Sequence, residues 1–491
     1  MKYDVIIVGA GLGGLECGYI LSRHGRKVCV LERTSQIGGC LQTFRRMGCT
    51  FDTGFHYVGA LDEGQNLNRL FKYFGLMDLP WKRMDADGFD EVVIGGERFM
   101  FVNGREAFAD SMARRFPDQR RNLDEYMTLL KGLGDNLFNS FLPRRSEDFY
   151  GMSMFANSAY DYMSRTITDP LLLDVLSGTS LKMELHAEKL PLYVFGQINN
   201  SFIESAYRLR GGGMQIAAAL RRGIESNGGV VMTGAEVTGA VETDGRLTAV
   251  RINGGEEQIE ADSFISNAHP AATMAWLDGC KSIRNIYRKR ICALPNTFGM
   301  FTVNIKLKPN TIKYLNRNIY AYRHADLWHQ SHASTDSLLI SFPPPAADSD
   351  YADTVDLLTP MAWDDVAEWF GTKIAHRGGG YEDLKERKAA ECLEMAEEHV
   401  PGLRAAVDRY FKSTPLTYHD YTLTQNGSSY GIQKDCNNLM YTMLTPKTPV
   451  SNLYLTGQNL NLHGILGVSM TSFFTCSELI GMDALLKDFN D

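Results

Sequence analysis

No two of the nine cysteines stand at CxxC spacing, and none clusters with histidine at zinc-ligand spacing, which argues against a structural metal site. Their odd number, in a chain with no secretion signal, reads as reduced thiols in a cytoplasmic setting. Basic excess is also missing: 50 Lys+Arg against 58 Asp+Glu leave a net charge of -8, a poor footprint for nucleic acid. No uncharged apolar run reaches the ~18 residues of a membrane span. The run Val5-Ile6-Ile7-Val8 is too short for a signal-peptide core and ends in glycines rather than a cleavage site. Internal repeats and low-complexity tracts are absent. What remains is an ordinary globular composition, 44% hydrophobic and 22% charged over 491 residues, long enough for several domains.

The first thirty-two residues carry the most specific signal. Residues 3–8 read as a buried parallel strand closed by Gly9, residues 11–24 as a helix ended by Gly25, and residues 27–32 as a second strand. Gly9-Ala10-Gly11-Leu12-Gly13-Gly14 matches GxGxxG. Gly9 permits the tight turn, Gly11 lets the backbone approach a pyrophosphate, and Gly14 lets the helix pack on the sheet. The helix start offers free N–H groups and a positive dipole end to phosphates, with Gly13 in its first turn. Glu32, eighteen residues past Gly14, ends the second strand where a carboxylate bonds a ribose hydroxyl. A lone GxGxxG is weak, but strand, helix, second strand and acid stand together here. Arg33 follows, and then Gly38-Gly39.

Further on, Arg210-Gly211-Gly212-Gly213 opens a helix to about residue 225, and strands are expected at 230–233, 236–242, 247–252, near Ile259 and at 264–268. Asp244-Gly245 and Asn253-Gly254-Gly255 are hairpin turn signals. Residues 280–345 alternate as sheet, 360–371 and 381–399 read as surface helices, 452–457 as a last strand, and Gly467 onward as a last helix. The stretches 138–155, with Arg144-Arg145, and 283–294, with Arg288-Lys289-Arg290, mix apolar and basic residues. That mixture suits contact with an anionic bilayer as well as it suits a core helix with a solvated edge.

The pair Gly38-Gly39 after Glu32 resembles the extended dinucleotide signature of FAD proteins of the glutathione reductase and amine oxidase type. Phe51-Asp52-Thr53-Gly54-Phe55-His56-Tyr57-Val58-Gly59, Tyr207 to Gly213, Ser413 to Tyr421 with Gly427 to Ile432, and Tyr454-Leu455-Thr456-Gly457-Gln458-Asn459 resemble stretches of the phytoene desaturase, carotenoid isomerase and retinol saturase superfamily, nearest its saturase and isomerase branch. Cys40 and Asn459 stand where many relatives carry an arginine and an acid.

The resemblance implies an α/β fold, α+β overall, with a Rossmann-type FAD-binding domain and an interleaved mixed-sheet substrate domain. The former would comprise 1–75, 205–275 and 445–491, the latter 76–204 and 276–444. It implies non-covalent FAD held by Gly9, Gly11, Gly13, Gly14, Glu32, Arg33, Gly38, Gly39, Gly54, Val237, Gly457, Asn459, Gly467 and Val468, the last two starting a helix that aims N–H groups at the flavin. His56, Tyr57, Tyr418, His419 and Tyr430 are candidates for the flavin face or for a proton donor, and His463 stands just before the last helix. The implied activity is oxidoreduction at carbon–carbon double bonds of a lipophilic polyene such as a carotenoid or retinoid, by saturation, desaturation or isomerisation, with NAD(P)H left open as reductant. The expected place of work is the cytoplasm, including peripheral contact with the inner face of a membrane. Two rivals are an amine oxidase of the same fold, against which stands the lack of an aromatic residue at Gly457-Gln458-Asn459, and a lipid carrier of the Rab escort type, against which stand Glu32 and Gly38-Gly39.

Overall fold

The computed structural model describes residues 2–137, 149–331 and 334–490. The strand Lys2–Val8 sits near the centre of a seven-stranded sheet, its β-branched run covered on both faces as an inner parallel strand requires. It pairs in parallel with Val28–Glu32 on one side and Gln258–Ser266 on the other. Val230–Thr233 joins outside Val28–Glu32, and Leu453–Leu455 pairs in parallel with Gln258–Ser266. Val237–Thr243 and Arg246–Ile252 complete the sheet as an antiparallel hairpin. Its turn residues Asp244 and Gly245 have φ of 49° and 77°, the positive pair that a tight hairpin turn needs. Strands from both ends of the chain and from its middle thus share one sheet.

The helices Leu12–Arg23 and Gly464–Ile480 pack against each other on one face of this sheet. A second seven-stranded sheet runs in the order Val407–Ser413, Gly299–Leu307, Thr354–Met361, Ser337–Ser341, Asn318–Tyr322, Asp90–Ile94, Glu97–Phe101. All its pairings are antiparallel except that of Asn318–Tyr322 with Asp90–Ile94. One face packs on the helices between residues 105 and 204, and the other on Gly379–His399.

Four sequence expectations are corrected. Residues 280–345 are not continuous sheet, because Asn285–Cys292 is a helix. Ile283, Tyr287 and Ile291 recur at a spacing of four, and the two isoleucines are buried on one face. Residues 360–371 hold the end of a strand and two single 3-10 turns rather than a helix. Ile259 and Phe264 lie on one nine-residue strand, not two. The last long helix begins at Gly464, three residues before the expected start, with His463 as its N-cap. Arg144-Arg145 lie outside the described residues. In the other basic stretch, Arg288 is turned inward, donating to the carbonyls of Met274 and Leu277 at the end of the preceding helix.

Candidate functional site

A cleft of about 850 Å3 extends from the C-terminal ends of the parallel strands, lined by Gly9, Glu32 and Asn267, to the second sheet at Met300, Leu339 and Leu358. That end of a parallel sheet is where open α/β folds bind ligands. One wall is backbone. Gly9, at φ 96°, turns the chain out of its strand, and its N–H donates to Leu31 O at 2.8 Å. Gly11 is the N-cap of the first helix, with φ -72° and ψ 177°, no side-chain cap and no acid in the first turn. The first N–H groups therefore remain for a ligand, at the positive end of the dipole. Gly38 N–H donates to Ala10 O at 2.7 Å, and a Cβ on Gly39 would lie 3.2 Å from Gly11 Cα, so the two glycine loops meet backbone to backbone. Val237, beside Ala235, lines the same cleft.

Glu32 fixes this wall. Its Oε2 accepts Ala10 N–H at 3.0 Å, and its Oε1 accepts the N–H and hydroxyl of Thr34, each at 2.9 Å. Three of a carboxylate's roughly four lone-pair sites are used, leaving one for a hydroxyl in the cleft. Arg33 lines the cleft and donates to Asp420 O, and Asp420 pairs through its carboxylate with the buried Arg377. Gly54 lines the cleft with its Cα against Cys40; a Cβ there would stand 3.2 Å from Cys40 O.

The chain's last segment supplies the facing wall. A Cβ on Gly457 would lie 2.6 Å from Asn267 Oδ1, and one on Gly13 would lie 3.2 Å from both Gly457 Cα and Val468 Cγ1. Asn459 lines the cleft, though its Oδ1 accepts the Ile432 N–H at 3.1 Å. His463, Gly464, Ile465, Leu466 and Val468 bring a second helix start, also uncapped by any side chain and free of acids, to the same cleft. Two residues assigned to cofactor contact serve packing instead and do not line the cleft. A Cβ on Gly14 would stand 2.0 Å from Gly9 O, and one on Gly467 would stand 2.4 Å from Leu462 O.

His56, Tyr57, Tyr418, His419 and Tyr430 all line the cleft, but most of their polar atoms are committed. Tyr418 donates to Thr53 O at 3.0 Å, and burial pushes its hydroxyl up to about 12. Tyr430 donates to Leu181 O and lies 4.7 Å from the His463 ring; burial raises its pKa strongly. His419 Nδ1 is 2.9 Å from Thr424 O. Burial, with the Arg208 charge adding to it, lowers His56 to about 4, so its imidazole is neutral. His463 is neutral too, lowered to about 4 mainly by burial, and its Nε2 donates to Lys182 O at 3.0 Å. Asp52 stands behind the site: its Oδ1 accepts Gly213 N–H at 2.7 Å, and burial pushes its carboxyl up to about 8. The triple glycine follows from the positive φ of Gly211 and Gly212, 86° and 88°, and from Phe55, whose Cβ would lie 2.9 Å from a Cβ on Gly213.

Sequence reasoning missed four cleft-associated residues. Asn267 is the hub that the Gly9–Gly14 loop and Gly457 pack around; its position at the end of a parallel strand was the available signal. Glu16 is fully buried between the two helices that reach the cleft. Lys182 and Asp90 meet across 92 positions of chain, without any local motif.

The glycine cradle, the carboxylate at the strand end and two uncapped helix starts define a dinucleotide-binding oxidoreductase. Residues 7–74 match the NAD(P)-binding Rossmann-like domain family. An all-trans-retinol 13,14-reductase from Danio rerio is 27% identical, covering 97% of this chain and 86% of that protein. A chloroplastic prolycopene isomerase from an Oncidium hybrid cultivar is 22% identical, covering 98% of this chain and 84% of that protein. Among solved structures, an oxidoreductase from Methanosarcina mazei shares the fold, with a TM-score of 0.63, 18% identity, and coverage of 96% of this chain and 99% of that one. Over nearly its whole length the chain resembles the retinol saturase and carotenoid isomerase branch of the FAD oxidoreductase superfamily.

Proposed function

We propose that the protein binds one FAD non-covalently and catalyses oxidoreduction at carbon–carbon double bonds of a lipophilic polyene. The observation that carries this reading is the joining, in one cleft, of two uncapped helix starts and a glycine cradle to an apolar wall of Leu67, Ile198, Met300, Leu339, Leu358 and Leu462. The polar half suits a dinucleotide, with Gly11, Gly13, Gly38 and Gly39 admitting the pyrophosphate and Glu32 accepting from a ribose. The apolar half suits a long hydrocarbon and keeps water from it. When bound, the flavin supplies two-electron chemistry as hydride transfer. The chain's own residues bind and orient: the helix at Gly464 presents N–H groups where negative charge would otherwise go unopposed.

We read 1–75, 205–275 and 445–491 as the FAD-binding unit and 76–204 with 276–444 as the substrate-binding unit. No described helix is long and apolar enough to cross a membrane. We place the protein at the surface of an anionic bilayer, from which a water-insoluble polyene would enter. Lys289 and the exposed Ile286 carry that contact in the 283–294 stretch.

The test is chemical. Protein holding photoreduced flavin is mixed anaerobically with a carotenoid or retinoid, and the recovered polyene is analysed by mass and chromatographic mobility. Gain of two hydrogens identifies a saturase, and altered mobility at unchanged mass an isomerase. With oxidised flavin, loss of two hydrogens identifies a desaturase. Unchanged polyene in every arm overturns the reading.

A further inference from the structure

Among the described residues, an ammonium on the apolar side of the cleft has no hydrogen-bond partner. Lys182 lines the cleft with a side chain only 10% exposed, and its Nζ is buried without a hydrogen bond. The nearest opposite charge, Asp90 Oδ2, is 3.8 Å away, too far for a hydrogen bond. Asp90 is satisfied by others: Asn318 Nδ2 donates to its Oδ1 at 2.8 Å, and Tyr57 hydroxyl to its Oδ2 at 2.8 Å. Tyr320 hydroxyl lies 2.6 Å from that of Tyr57. Aromatic faces flank the ammonium, with Nζ 3.9 Å from the Phe202 centroid and 5.4 Å from that of Tyr57, both of which line the cleft.

Rings and a distant carboxylate compensate the charge of an ammonium but not its three donors. A hydrocarbon seated against this wall would leave those donors unpaired. A carboxylate would bring a second negative charge beside Asp90 in a dry site, where the ion pair has already cancelled the charge of Lys182. A neutral oxygen acceptor fits both conditions.

We propose that Lys182 is a specificity-determining residue, whose Nζ docks a neutral oxygen, hydroxyl or carbonyl, at the end of the polyene. The inference rests on the polyene reading above and narrows it to oxygen-terminated chains over pure hydrocarbons. Asp90, held by Tyr57 and Asn318, is a positioning residue that keeps the ammonium at the wall. Burial lowers Lys182 to about 8, opposed by the Asp90 charge.

The test is equilibrium binding to the oxidised holoenzyme, read by quenching of protein fluorescence, so that turnover plays no part. The probes are all-trans-retinol, the same polyene without its hydroxyl, and the corresponding carboxylic acid. Wild type is expected to bind the alcohol about tenfold more tightly than either analogue, the scale of one well-made hydrogen bond. Lys182→Met risks stranding the Asp90 charge, so it is paired with Lys182→Met/Asp90→Asn, which removes both charges. The double variant is expected to bind the alcohol no better than the hydrocarbon, with hydrocarbon affinity unchanged or improved and the flavin spectrum retained. Equal binding of alcohol and hydrocarbon by wild type, or equal losses for both in the double variant, overturns the role of Lys182 while leaving the polyene reading intact. Failure of wild type to bind any of the three overturns the polyene reading itself, and this inference with it.

Discussion

Ser469 donates a 2.6 Å hydrogen bond to Glu16 Oε1 across 453 positions of sequence, and Ser472 donates at 3.0 Å to Oε2 of the same carboxyl. This pair of bonds ties the first helix to the last long one directly behind the cleft. Glu16 is fully buried, and that burial pushes its carboxyl up to about 8, against the pull of the two serines. The folded protein therefore keeps the proton to about pH 8, while the unfolded chain releases it near the ordinary value of about 4.3. The stability this proton contributes is complete at low pH and is lost as pH rises toward 8, by at most about 1.4 kcal/mol per unit. Glu16→Gln, which cannot ionise, is expected to flatten the fall. Denaturation midpoints of flavin-free wild type and variant at pH 5.5 and 7.5 check this; parallel losses in both would refute it.

The glycine cradle makes a sharper demand. Gly11→Val places side-chain atoms where a Cβ alone would already be 2.9 Å from Asn267 Nδ2. The variant is expected to fold and to lose FAD binding by more than about 100-fold, since pyrophosphate must pass where the valine stands. Glu32→Ala removes the acceptor of Ala10 and Thr34 N–H as well as the lone pair proposed for the ribose, so its expected cost is about 1–3 kcal/mol of binding. Titration of the flavin-free proteins with FAD measures both. A folded Gly11→Val that binds FAD as wild type does contradicts the placement.

Tyr418 and Tyr430 already donate their hydroxyls to the carbonyls of Thr53 and Leu181. Tyr418→Phe and Tyr430→Phe are each expected to cost about 0.5–1.5 kcal/mol of stability and to slow turnover by less than about tenfold. Loss of a true proton donor costs about 100- to 10,000-fold. A loss of that size in either variant would identify it as the acid.

Contact with an anionic bilayer is expected to run through Ile286, 79% exposed, and Lys289, while Arg288 is held by backbone carbonyls. Ile286→Asp/Lys289→Glu should reduce co-sedimentation with vesicles of phosphatidylserine and phosphatidylcholine, and added salt should weaken the wild-type binding. Identical sedimentation of both proteins would assign the contact to another surface.

The parts of the site that were legible in the sequence are those set by short-range geometry. Gly9 to Gly14, Glu32 and the pair Gly38-Gly39 stand in one strand–helix–strand unit, where spacing alone predicts which backbone atoms meet. Gly457 and Val468 came into view only through the resemblance, because their approach to Gly13 depends on how the last strand joins the sheet. Lys182 and Asp90 were invisible for a related reason. Asp90 sits in the strand Asp-Glu-Val-Val-Ile, and only its parallel register with Asn318 and the folding of the Ser180–Lys182 turn onto that sheet bring acid, amide and amine together. The helix at Asn285–Cys292 is short and precedes the alternating strand Gly299–Leu307, so its period of four, Ile283, Tyr287 and Ile291, does not stand out from the alternation that follows.

The most direct test of the central claim is anaerobic reoxidation of the flavin. Purified protein is freed of adventitious flavin, loaded with FAD, reduced by light to its colourless form, and then mixed with stoichiometric all-trans-retinol in the absence of oxygen. The oxidised flavin absorption is expected to return with the polyene absorption falling in equal molar measure, because each hydride that leaves the flavin removes one double bond from the chromophore. A flavin that stays reduced against retinol and a carotenoid alike, with the polyene unchanged in mass and mobility both here and after incubation with the oxidised holoenzyme, would contradict the assignment of chemistry on polyene double bonds.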